Sequence, residues 1–325
     1  MTSKIPGHGT YRSRVDEKKA ATDMTCSPIY SKQMGLIRLD PEADMSELVI
    51  HFPSQEELQL NYPSFYHSSL DACITEKHME KIVNEVCATY MIEGLEHFIE
   101  DFKYDLCVDL GANVGMFSIF AGLMFHRVVA IEADPYTCDY ARAAMDYNLK
   151  HYPARFTDKL HYEDGNIELY NLACSAKAGD IVSIYGGEED LGEHMIYDNN
   201  QGYPLTSRRC LTIDWPRLQQ LVGTKDIDYL KVDIEGSEYD FLLAQDLSDI
   251  KVIRMELHSS NNIAETKRRK KALLSWLHHN QGFLIANLSR PTSLWDNIMA
   301  TNTRFITPER HEKMWHFWQA HGRFG

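Results

Sequence analysis

The stretch Cys107-Val-Asp-Leu-Gly-Ala-Asn-Val-Gly115 restricts the possible folds more than any other in the chain. An apolar run of Leu106, Cys107, Val108 and Leu110 holds one acid, Asp109, and breaks into Gly111-x-Asn113-x-Gly115. A helix-like stretch, Met116-Phe-Ser-Ile-Phe-Ala-Gly122, follows at once. Strand, tight glycine turn and helix start, in that order, open a nucleotide-binding βαβ unit. Glycine at Gly111 permits backbone angles closed to other residues, and at Gly115 it lets the helix pack closely on the sheet. The bare backbone of the turn also admits a ligand.

A second apolar strand, Val128-Val-Ala-Ile-Glu132, ends in an acid. Glu132 follows Asp109 by roughly the 20 positions expected when a strand-two acid binds ribose hydroxyls. A third glycine at the dinucleotide spacing is missing, as is Gly-x-x-x-x-Gly-Lys-Ser/Thr. Without a pyrophosphate cradle the expected ligand is a nucleoside lacking phosphates, of which S-adenosylmethionine is the common one.

Around this unit the chain divides into a polar, aperiodic tail (1–27), an N-terminal extension (28–101) and a main domain (102–325). The extension holds two short strands within 36–52, an aromatic loop at Asn61–His67 and a helical pattern from Ile74 to Phe102. It is expected to pack beside or over the nucleotide site. In the main domain the patterns predict a helix at Tyr136–Lys150, a strand at Ile167–Ser175 and another at Ile181–Tyr185. A short helix at Thr212–Val222, a strand from Ile227, a new helix from Ser237 and a strand at Ile250–His258 come next. A helix at Lys267–His279, two closing strands and a last helix opened by Thr307-Pro308 complete the order. The acidic, glycine-rich stretch Gly186–Tyr203 has the length of a functional loop. Strands alternating with helices make an α/β, doubly wound parallel sheet.

The formal charge of −14 argues against nucleic acid as the main partner. Seven cysteines, an odd number with no Cys-x-x-Cys pair, read as buried thiols in a reducing compartment. No apolar run is long enough to span a bilayer, and the first residues lack a signal-peptide core, so a soluble, cytoplasmic protein is expected. The run Lys267-Arg-Arg-Lys-Lys271 reads as the solvated face of a covering helix whose Leu273, Leu274 and Leu277 are buried.

Four motifs in this order resemble the FkbM-type S-adenosylmethionine methyltransferases. They are Val108-Asp-Leu-Gly-Ala-Asn-Val-Gly115, Ile131-Glu-Ala-Asp-Pro135, Asn171-Leu-Ala-Cys-Ser175 and Leu230-Lys-Val-Asp-Ile-Glu-Gly-Ser-Glu238. Glu256-Leu-His258 fits as well, and the likeness runs from roughly Phe102 to Thr303. The resemblance implies a class I, Rossmann-like seven-stranded sheet with its last strand antiparallel. It also implies methyl transfer to a hydroxyl, often on a sugar or secondary metabolite. It places S-adenosylmethionine on Asp109, Gly111, Asn113, Gly115 and Glu132, with the adenine near Ala133, Asn171 and Ala173. The family usually has proline directly after the strand-two acid; this chain has Ala133 there and Pro135 two positions on.

Each site residue has an alternative. Asp109 either serves the glycine loop or the methionine amino group, or only braces the turn, since a buried acid needs partners. Asn171 can simply cap a strand end. Asp233, Glu235 and Glu238 can be acids suited to a helix dipole, which explains Glu238 but not an acid within the strand. Asp233, Glu256 and His258 are the expected catalytic residues. Asp233 or His258 would act as base, or the three together would hold Mg or Mn, since two hard oxygens and an imidazole suit such an ion. The expected partner is a small hydroxyl-bearing acceptor. A non-catalytic nucleoside or metabolite binder and an RNA methyltransferase are the competing readings.

Overall fold

A computed structural model describes residues 95–122, 124–151, 166–187, 205–259, 262–288 and 296–321. The tail, most of the N-terminal extension and the Gly186–Tyr203 loop beyond residue 187 lie outside the described residues.

The glycine-turn unit forms as its pattern dictates: β1 (Leu106–Leu110), α1 (Met116–Gly122), β2 (Arg127–Glu132) and α2 (Pro135–His151). Then come β3 (Ile167–Asn171), β4 (Ala173–Cys174), β5 (Ile181–Gly187), β6 (Leu205–Ile213) and α3 (Trp215–Val222). β7 (Ile227–Val232), α4 (Glu238–Leu242), β8 (Ile250–Leu257), α5 (Ile263–His279), β9 (Phe283–Asn287), β10 (Asp296–Asn302) and α6 (Pro308–His321) complete the order. Seven strands make one sheet in the order β3-β2-β1-β7-β8-β10-β9. The strands from β3 through β8 pair in parallel, and β10 is antiparallel to both β8 and β9.

β1 and β7 are buried along their whole length, as central strands of a covered parallel sheet must be. Side chains alternate between two cores. Val108, Leu230 and Val232 pack with Trp215 of α3, Phe241 of α4 and Leu273 of α5. Cys107 and Tyr229 face the other way, onto Phe117 and Phe120 of α1 and Met314 of α6. Each such aromatic or aliphatic side chain contributes about 1.5–3 kcal/mol by leaving water. The described cysteines, Cys107, Cys138, Cys174 and Cys210, are buried free thiols as expected. Among the described residues no helix is long and apolar enough to cross a membrane.

Four local expectations are corrected. The single strand Ile167–Ser175 splits at Leu172. β2 ends at Glu132, opposite Asn171, so the next residues have no neighbour in the large sheet and pair with β6 instead. The helix expected from Thr212 starts at Trp215, because Thr212 and Ile213 finish β6 and Asp214 caps the helix. β6 itself escaped notice, since its arginines and polar residues mask a strand that pairs with β4 on one side and β5 on the other. α5 begins at Ile263, where Asn262 accepts the Glu265 amide, four residues ahead of the basic run. Of the helical pattern expected from Ile74 to Phe102, the part from residue 95 is described and is not α-helical: Leu95–His97 is a 3-10 turn, and Asp101 is left-handed at φ 55°.

Candidate active site

The site lies at the carboxyl ends of β1, β2, β7 and β8, where a doubly wound sheet opens a crevice. Gly111 sits at φ 79°, and a Cβ there would stand 1.7 Å from the Asp233 carbonyl oxygen. Only glycine lets the turn lie against the end of β7 this closely. Asp233 returns the contact by donating its amide to the Leu110 carbonyl at 2.9 Å. Asn113 is left-handed at φ 51°, and its side-chain oxygen accepts the Val114 amide at 2.6 Å. At Gly115 a Cβ would meet Met145 at 2.9 Å and Ala141 at 3.2 Å, so glycine there sets how closely α1 approaches α2.

Asp109 is fully buried and both its oxygens are used. Lys231 donates to Oδ1 at 2.9 Å, and the Ser118 hydroxyl of α1 donates to Oδ2. Lys231 also donates to the Gly111 carbonyl at 2.7 Å. Burial disfavours its charged form, but Asp109 and Asp233 outweigh that and raise its pKa. The acid thus serves the glycine loop through a lysine. Lys231 was not among the expected site residues. The signal was available: a lysine in a buried strand, beside a buried acid on a neighbouring strand, calls for pairing.

Glu132 at the end of β2 accepts the Asn113 amide on one oxygen and the Asp134 amide on the other, both at 2.8 Å. Burial pushes its pKa up to about 7, against the opposing pull of those two amides. Each oxygen retains a lone pair, so the carboxylate fits a pair of ribose hydroxyls beside a bare glycine turn. Asp134 caps α2 through the amides of Tyr136 and Thr137, with Pro135 in the first turn. The Arg208 guanidinium of β6 meets Asp134 at 2.5 Å and lies 4.2 Å over the Tyr136 ring. Asn171 spends its amide nitrogen on the Glu132 and Ala133 carbonyls, both at 2.9 Å, tying β3 to the end of β2. Ala173 is buried in a small apolar cluster that Ala133 joins.

Beyond β7 and β8 the expected trio meets. Asp233, Glu256 and His258 offer ligand atoms within 4.8 Å of one another. His258 Nε2 stands 3.3 Å from Glu256, 3.4 Å from Glu235 and 3.9 Å from Asp233. Glu235, a non-glycine residue at φ 48°, is held in a sparsely populated conformation beside Gly236. Burial pushes its pKa up to about 9, eased by His258 and aggravated by the neighbouring acids. Burial also opposes charge on His258, but hydrogen bonds to Glu238 and Glu256 overcome it and hold the imidazole well above its ordinary value. Asp233 is the most exposed acid of the group at 26 %. The donor set of two carboxylates and one imidazole fits a hard divalent ion.

Residues 109–285, more than half of the chain, match the methyltransferase FkbM domain. The chain belongs to that family and is an S-adenosylmethionine-dependent methyltransferase. Among solved structures it is similar to methyltransferase FkbM from Methylobacillus flagellatus KT, at 15% identity and a TM-score of 0.37, covering 76% of this chain and 60% of that one. It is similar also to precorrin-6y C5,15-methyltransferase from Geobacter metallireducens GS-15, at 12% identity and 0.33, covering 74% and 94%. A third is M. capricolum TrmK in complex with S-adenosyl-homocysteine, at 11% identity and 0.34, covering 70% of each chain. Comparison with the curated proteins gives no match.

Proposed function

We propose that this methyltransferase acts on a hydroxyl oxygen of a small molecule, a sugar or a glycosylated or secondary metabolite. The observation that carries the reading is the cluster of Asp233, Glu256 and His258 at the strand ends, adjoining the glycine turn through the Gly111–Asp233 approach. An alcohol is a weak nucleophile until its proton is drawn off, and a positioned carboxylate does that.

The Glu132 carboxylate receives the ribose hydroxyls, and the turn from Gly111 to Gly115 gives the cofactor a close backbone wall. The acceptor hydroxyl donates to Asp233, which takes its proton as the oxygen bonds to the methyl carbon. The carbon–sulfur bond breaks and its electron pair stays on sulfur. Placing oxygen, carbon and sulfur in line supplies much of the acceleration. Asp233, Glu256 and His258 are also the residues that would hold Mg or Mn, and such an ion would supply Lewis-acid polarisation of the hydroxyl. Asp233 and Glu256, gathered beside His258, offer acceptors to a neutral polyol and repel a phosphate backbone, in keeping with the net charge of −14.

Transfer of labelled methyl to a panel of sugars, glycosides and RNAs tests this. Hydroxyl compounds should be labelled, and Asp233→Asn should lower turnover roughly a hundredfold while S-adenosylhomocysteine affinity changes little. Chelation followed by Mg or Mn separates the ion from the side-chain base. Labelling of RNA alone, or near-normal turnover in Asp233→Asn, would overturn the reading.

A further inference from the structure

His258 stands one residue past the end of β8, where a ring on a strand end is ordinarily free to turn. Two successive residues of α4 prevent it. Glu238 Oε1 lies 2.9 Å from His258 Nδ1, and the Tyr239 hydroxyl donates to the His258 carbonyl at 3.2 Å. Ring and backbone are therefore gripped from one helix turn. That turn is buttressed in its own right: Arg269 of α5 lies 4.8 Å over the Tyr239 ring and meets Asp240 at 2.6 Å. The basic run of α5 thus contributes a brace as well as a solvated face.

Glu238 is an expensive residue to keep for packing alone. It is fully buried, and its second oxygen, Oε2, has no hydrogen-bond partner among the described residues. A buried polar atom left unpaired costs free energy that a neutral or apolar residue of the same size would avoid. Its first oxygen is committed twice, to His258 Nδ1 and to the Gly236 amide at 2.9 Å. The Gly236 bond fixes the carboxylate, and the carboxylate in turn fixes the ring. With Nδ1 so engaged, Nε2 is the nitrogen that faces Glu256, Glu235 and Asp233. A carboxylate behind a histidine sets which nitrogen carries the inner proton and which way the ring points.

We propose that Glu238 is the positioning residue of this site: it holds the His258 Nδ1 proton and so fixes Nε2 against Glu256 and beside Asp233, the acid that receives the acceptor's proton. The inference rests on the reading that the cluster serves methylation of a hydroxyl. It goes beyond the expectation that Glu238 suits the dipole of its helix. α4 is a five-residue helix, and the carboxylate is aimed across to β8.

The test uses the full chain with histidines labelled in ¹⁵N and S-adenosylhomocysteine added, the His258 signal being assigned by its loss in His258→Asn. The wild type should show a downfield, slowly exchanging Nδ1 proton. In Glu238→Gln that proton should shift or vanish, and turnover should fall about ten- to a hundredfold. The dissociation constant for S-adenosylhomocysteine and the KM for S-adenosylmethionine should stay within about twofold, and Glu238→Asp should restore part of the turnover. An unchanged ring signal, or a changed signal with full turnover, overturns the proposal. Parallel loss of S-adenosylhomocysteine binding also overturns it, because Glu238 would then be a packing residue. His258→Ala tells the two readings apart. If it abolishes turnover while Glu238→Gln does not, the positioning role alone fails; if it leaves turnover intact, the role assigned to His258 fails and the positioning role fails with it.

Discussion

Replacing Lys231 by methionine keeps the length and apolar stem of the side chain and removes its charge. Asp109 is then left at 0 % exposure with the Ser118 hydroxyl as its remaining named partner. Breaking a buried ion pair from one side costs about 3–5 kcal/mol, because the surviving charge stays desolvated and unpaired. A domain of this size shifts its melting temperature by about 2–4 °C per kcal/mol, so Lys231→Met should melt about 6–20 °C below the wild type. The Gly111 carbonyl loses its 2.7 Å donor in the same stroke, so the affinity for S-adenosylhomocysteine should fall as well. Thermal and urea unfolding of Lys231→Met, Asp109→Asn and the double variant complete a cycle. The double variant buries no unpaired charge and should recover at least about 1 kcal/mol of the summed losses, within the range for contacting residues. Additive losses, or a Lys231→Met protein within about 0.5 kcal/mol of the wild type, would refute the view that this pair carries the centre of the sheet.

Gly111→Ala combines left-handed strain with a 1.7 Å overlap on the Asp233 carbonyl. The strain alone is worth about 1–3 kcal/mol, and calorimetry should find cofactor binding lost even where circular dichroism still shows folded protein; retained binding would mean the turn can retreat from β7. Glu132→Ala should weaken S-adenosylmethionine binding tenfold or more, since charged hydrogen bonds contribute roughly 1.5–3 kcal/mol each; unchanged affinity by calorimetry would remove Glu132 from the site. Because the Glu132 pKa is raised to about 7 and hydroxyl donors favour the ionised form, wild-type affinity should rise with pH through 7 and level off above it. A unit below that pKa only about a tenth of the carboxyl is ionised, so binding there should be roughly tenfold weaker than on the plateau. Without cofactor the sign reverses: the folded state binds more protons than the unfolded between 4.5 and about 7, so this group's contribution to stability falls as pH rises across that window.

The sequence by itself determined the class of fold and the outline of the site. Its signals are local: an apolar run broken by Gly111 and Gly115, a strand ending in Glu132, and alternation in Ile227–Val232 that separates Leu230 and Val232 from Tyr229. Such patterns act over a few consecutive residues, so backbone geometry translates them directly into strand, turn and helix. The same alternation brought Asp233 to the crevice and paired Glu256 with His258 at the end of one strand. Tertiary structure alone decided what those groups touch. Lys231 finds Asp109 across 122 positions because β7 lies beside β1 in register. The split of Ile167–Ser175 depends on where β2 ends, and β6 is held by β4 on one side and β5 on the other. Glu238 reads as a helix-start acid until the fold sets α4 against the end of β8, and then its carboxylate meets an imidazole. Contacts of this kind depend on strand order and register, which no short stretch of chain encodes, and they are where the chemistry of the site is set.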